Sequence, residues 1–133
     1  MARRGSVAGG AAVLLLCATL GTAGADAFEA HRADAERNEK SEAGKVYRPV
    51  FEKEFSAGFA PRVTLCAQRT GGPRSAPFDV LFKLAATGTV EQALVRPRTP
   101  LSACFTKLSR KSTFPRPPSA GYWVIARMRF THD

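Results

Sequence analysis

Cys66 and Cys104 are the residues of this chain best suited to covalent chemistry, and their surroundings narrow what that chemistry is. A catalytic or redox thiol needs a nearby base or a C-x-x-C partner to hold it as thiolate, and neither motif surrounds these two. In an oxidising compartment, a pair of thiols is joined instead. We therefore expect one structural disulfide, Cys66 to Cys104, closing a loop of about 39 residues that the chain-entropy account values at about 4 kcal/mol. The remaining candidates are sparse. His31 sits in a polar stretch and His132 is next to the last residue, neither with a metal-ligand partner at useful spacing. Asp79 and Glu91 are the only carboxylates between Glu54 and Asp133, and their flanking positions give no paired acid and base. Gly71-Gly72 lacks the following Lys and Ser or Thr of a phosphate loop and reads as a helix stop. The expectation is no catalytic residue, no metal site, no cofactor and no enzyme.

The compartment is argued from the first 25 residues. Arg3 and Arg4, the apolar run Ala11 to Leu20 and the small residues Ala23 and Ala25 have the layout of a secretory signal, cleaved before Asp26. Four glycines, at 9, 10, 21 and 24, shorten the strongly apolar part to about half of a roughly 20-residue membrane span. A retained anchor and lipidation of Cys17 are the alternatives, the latter opposed by bulky Leu16 just before the cysteine. The expected location is periplasmic or secreted.

Charge is distributed unevenly over the rest. The whole chain is +9; residues 26–54 hold eight acidic and six basic side chains, and residues 55–133 hold twelve basic and three acidic. The basic excess thus belongs to the segment with the stronger apolar patterning. Export and the lack of any groove-reading or RNA-binding motif argue against nucleic acid as a partner.

The elements that must position these residues follow from periodicity. Residues 26–45 are Ala-rich with mixed charge and one large apolar side chain, Phe28, which predicts a solvated helix or linker outside the core. Val46, Tyr47, Val50, Phe51 and Phe55 recur at helical spacing, and Pro61 is expected to break or kink that helix before a second segment carrying Val63, Cys66 and Ala67. Past Gly71-Gly72-Pro73 the period becomes two: Phe78, Val80, Phe82 and Leu84 alternate along a strand, Ala86 to Thr89 form a turn, and Val90 to Val95 return. Thr99-Pro100 caps a helix with Leu101, Cys104, Phe105 and Leu108 on one stripe. Three prolines between Thr113 and Pro118 impose a rigid extended connector. In the last strand Tyr122, Val124, Ala126, Met128 and Phe130 face one way, and Trp123, Ile125, Arg127 and Arg129 the other. The sum is a single α+β domain over 46–133: a small antiparallel three-stranded sheet, hairpin plus C-terminal strand, with helices packed on one face.

This order of motifs resembles the TonB C-terminal-like fold, nearest the AgmX/PglI gliding-motility branch. The resemblance spans roughly residues 50–130. It rests on Phe78-Asp79-Val80-Leu81-Phe82-Lys83-Leu84, Gly88-Thr89-Val90, Ala93-Leu94-Val95, the helical Cys104 with Cys66 after Pro61, and the exit Phe114-Pro115-Arg116-Pro117. It implies that the final strand is an open edge receiving an extended partner segment, with Tyr122, Trp123, Ile125, Arg127 and Arg129 as the partner-binding edge.

Two functions follow as expectations. One is a non-enzymatic periplasmic binding module that captures an envelope protein or peptide segment by strand addition, with the Arg pair reading acidic side chains. The rival reading of the same residues packs Trp123 and Ile125 under the linker helix and makes Arg127 and Arg129 edge guards against aggregation. The other is a cationic envelope protein bound to anionic lipid or surface polymer through Arg62, Arg69, Arg74, Arg96, Arg98, Arg110, Lys111 and Arg116, an association that weakens steeply with salt.

Overall fold

Six elements make up the fold in the computed structural model, which describes residues 9, 25–71 and 76–130. They are α1 (Ala25–Lys40), α2 (Glu42–Thr70), β1 (Phe78–Leu84), β2 (Val90–Arg96), α3 (Pro100–Ser109) and β3 (Tyr122–Met128). The export signal expected over 1–25, Cys17 included, lies outside the described residues except for positions 9 and 25. Among the described residues no helix is long and apolar enough to cross a membrane.

The sheet is antiparallel, in the order β2-β1-β3. Phe78-Asp79-Val80-Leu81-Phe82 is buried on both faces, as a central strand must be, and β1 takes that place. The tight return to β2 depends on Gly88, whose φ is +90°; a Cβ there would lie 1.9 Å from the Phe114 carbonyl oxygen. That approach is used, because the Phe114 N–H donates to the Gly88 carbonyl and Thr113 bridges Thr89. The Pro-rich connector is therefore pinned to the hairpin turn, with Phe114 inserted in the core.

One face of the sheet carries α2 and α3. Tyr47, Phe51 and Phe55 follow one another at four-residue steps and are buried, while Val46 and Val50 face solvent. The apolar stripe of α2 is thus narrower than the pattern suggests. The helix also runs unbroken through Pro49 and Pro61. Each proline forfeits one backbone hydrogen bond, and the residues four positions earlier, Lys45 and Ala57, are exposed, so water can reach the freed carbonyls. Phe51, Phe55, Phe82, Phe105 and Phe114 then meet at centroid spacings of 4.9–6.4 Å. At the N-terminal end of α3, Thr99 and Ser102 form a reciprocal capping box ahead of Pro100.

The other face is not bare. Residues 26–45 are helical, the first of the two forms expected, but they are not solvated all round, and the helices do not all lie on one side: α1 packs Phe28 and Ala35 on Leu81, Trp123 and Ile125. The apolar contribution of α1 is small, which hides it from periodicity, and polar contacts make up the rest. Arg32 pairs with Asp79 at 3.1 Å, and the imidazole of His31 stacks on Trp123 at 4.0 Å. The α1–α2 turn is close enough that a Cβ on Gly44 would sit 1.7 Å from the Asn38 carbonyl oxygen.

Burial leaves a mark on one titration. The Tyr47 hydroxyl donates to the Pro115 carbonyl at 2.8 Å, and burial first, then neighbouring Tyr122, pushes its pKa up to about 12. A raised folded-state value favours the protonated form, so its stabilisation is complete below the unfolded value near 10 and is lost as pH climbs through about 12. Urea unfolding at pH 9 to 12 should show stability falling by about 1 kcal/mol per pH unit above pH 10. In Tyr47→Phe the fall becomes shallower, at a neutral-pH cost of about 1 kcal/mol for the unmet Pro115 carbonyl.

Candidate functional site

The two cysteines are joined. Sγ of Cys66 on α2 lies 2.10 Å from Sγ of Cys104 on α3, with Cα atoms 5.7 Å apart, and the bond staples the two helices over one face of the sheet. The other groups with chemical potential are held in structural contacts. His31 contacts Asp34 at 3.3 Å. Asp79, buried, accepts from Arg32 on one oxygen and from Arg129 on the other, at 3.1 and 2.9 Å. Glu91 lies 4.0 Å from Lys83 on an exposed strand. Among the described residues no three His, Cys, Asp or Glu side chains gather as a metal-ligand set.

The β3 edge differs from the expectation placed on it. Backbone N–H and C=O groups of one strand residue point the same way and alternate from residue to residue. On β3 the Trp123 carbonyl accepts from Asn38 Nδ2 at 2.9 Å and the Ile125 carbonyl from Arg48 Nη1, so residues 123 and 125 turn away from β1 and their outward acceptors are occupied. The side chains are committed too. Tyr122 is buried in the core under α2, and Trp123 and Ile125 are buried beneath α1. Arg127 makes a two-pronged contact with Glu39 at 3.1 and 3.3 Å, and Glu39 also pairs with Arg48 at 2.9 Å. Arg129 is bound to Asp79. Of the expected partner-binding edge, the α1–α2 corner and the core bury Tyr122, Trp123 and Ile125, while Arg127 and Arg129 stay exposed with their side chains engaged by Glu39 and Asp79. A groove of about 250 Å³ lies between α2 and the last residues of β3.

The opposite edge is open. Val124 and Ala126 pair with Phe82 and Val80, so residues 79 and 81 of β1 turn toward β2 and bond to Arg96 and Leu94. Ala93 and Val95 therefore direct their N–H and C=O groups outward, and no loop or side-chain hydrogen bond among the described residues ends on them. A groove of about 590 Å³ lies over this edge, touching Ala93, Leu94 and Val95 of β2, Phe28 of α1 and Ala103, Cys104, Thr106 and Lys107 of α3, with Arg98 and Arg110 alongside. The side chain of Leu94 belongs to the α1 face and those of Ala93 and Val95 to the α2–α3 face. A cavity that touches all three straddles the strand edge itself.

Sequence reasoning missed this edge, although a signal was present. The apolar residues of β1 fall on both faces, which marks a central strand, and the polar, partly exposed Val90-Glu91-Gln92 opening of β2 marks an outer one. No protein-family model, curated protein or solved structure matches the chain.

Proposed function

We propose that this chain is a non-enzymatic periplasmic protein-binding module that captures an extended partner segment by strand addition, the mode its resemblance to TonB C-terminal-like domains implies, but at β2 rather than at the final strand. The observation that carries this reading is the pair of unbonded backbone positions Ala93 and Val95 at the floor of the groove between β2 and α3. An incoming strand would satisfy those donors and acceptors and lay alternate side chains against α3 and Phe28.

The variant Ala93→Pro tests it. Proline removes an N–H that the fold itself does not use, and edge strands accept it, so the domain should unfold within a few degrees of the parent. Heptapeptides selected on the parent from a random display library should lose about tenfold or more in affinity for the variant, the order expected when backbone bonds to an edge are removed. Amide exchange at Ala93 and Val95 should slow when such a peptide is bound. Equal binding to parent and variant would rule out β2 as the receiving strand.

A further inference from the structure

Resting on that reading, we infer that the segment captured at β2 is acidic, with carboxylates at alternate positions facing α3. The wall of the groove supplies the reason. Ala103, Lys107 and Arg110 recur at helical spacing along one face of α3 and its C-terminal end, and Arg98 follows β2 at the same edge. Arg98, Lys107 and Arg110 are exposed, and none takes part in an ion pair among the described residues.

Elsewhere the arginines beside the sheet are matched. Arg32 and Arg129 share Asp79, Arg48 and Arg127 share Glu39, and Arg96 pairs with Glu29. The acidic residues of α1 and β1 thus neutralise the cations beside β3 and on the α1 face, while the three cations along the open edge keep their charge for an incoming group. The floor between them is apolar and small: Ala93, Val95, Ala103 and Phe28. An added strand places every second side chain on one face, about 6.6–6.8 Å apart. Its α3-facing positions meet Lys107, Arg110 and Arg98, and the others meet Leu94 and Phe28. The matching segment alternates Asp or Glu with small or β-branched apolar residues. A polyanion lacking backbone donors would meet the charges and leave Ala93 and Val95 unpaired.

Fluorescence anisotropy on the oxidised chain tests this with three labelled heptapeptides: one alternating Glu and Val, its Gln and Val counterpart, and the Glu and Val peptide N-methylated on the edge that meets β2. The Glu peptide should bind about tenfold tighter than the Gln peptide at low salt, and the gap should shrink as salt rises through several tenths molar. The double variant Lys107→Glu/Arg110→Glu should abolish that preference, and N-methylation should abolish binding. Equal affinity for the Glu and Gln peptides overturns the acidic inference and leaves strand addition standing. Undiminished binding of the N-methylated peptide, or binding of polyphosphate or anionic phospholipid vesicles as tight as that of the Glu peptide with the same loss in the double variant, overturns strand addition and leaves only charge. Failure of all three peptides to bind at millimolar concentration overturns the inference as well.

Discussion

Replacing Cys66 and Cys104 together by alanine lowers the unfolding free energy by about 4 kcal/mol, the entropy that a loop of this length regains in the unfolded chain. For a domain of roughly 100 residues this corresponds to a fall in Tm of about 20 °C. The bond links α2 to α3 across a sequence separation of 38, so its loss lets the two helices part while each keeps its own contacts with the sheet. Cys104 also borders the β2 groove, and α3 supplies that groove's cationic wall. Reduction should therefore weaken binding of the Glu and Val peptide at temperatures where the domain is still folded. Urea denaturation of oxidised and reduced protein, paired with anisotropy, checks both effects. Coincident urea midpoints would mean that the staple adds nothing beyond the packing around it.

Removing residues 25–40 should destabilise the domain by about 5 kcal/mol or more, since Leu81, Trp123 and Ile125 each lose roughly 1.5–3 kcal/mol of burial when α1 is absent. The polar side of the loss is as specific. Asp79 loses Arg32, the Trp123 carbonyl loses Asn38, and Arg48 and Arg127 lose Glu39. The β3 edge would then stand open beside an apolar face, and self-association through it is the expected consequence. Trp123 is the single tryptophan of the chain and is buried under α1, so red-shifted emission reports the exposure directly. Phe28→Ala is the milder version: α1 keeps its ion pairs, and the expected cost is about 3 kcal/mol. Unchanged emission and stability in the shortened chain would return α1 to the status of a solvated linker.

Particular elements explain how much of this was legible in advance. The hairpin was readable because Phe78, Val80, Phe82 and Leu84 recur at every second position and Gly88 is the residue a tight return requires. The capped helix was readable because Thr99, Pro100 and the Leu101, Cys104, Phe105, Leu108 stripe are local signals. α1 was misjudged because its docking rests on one phenylalanine, one alanine and a set of charged side chains whose partners lie 47 to 88 residues away. Such partnerships leave no local period. Pro61 misled in the opposite direction, since the penalty it signals is real but can be absorbed where the freed carbonyl is hydrated.

Local spacing in the amino-acid chain determined the disulfide, the α+β class and the faces of each strand, because those follow from side-chain period, turn chemistry and cysteine count. Only the tertiary structure decided which of the two outer strands has its edge carbonyls capped and which leaves them open. Joining β3 to β1 rather than to β2 costs nothing that periodicity records. It nevertheless sends Trp123 and Ile125 under α1, sets Asn38 and Arg48 on the outward carbonyls of β3, and leaves Ala93 and Val95 facing solvent beside uncompensated positive charge. Edge availability is a property of the partners a strand acquires in space, and a strand's own residues cannot specify it.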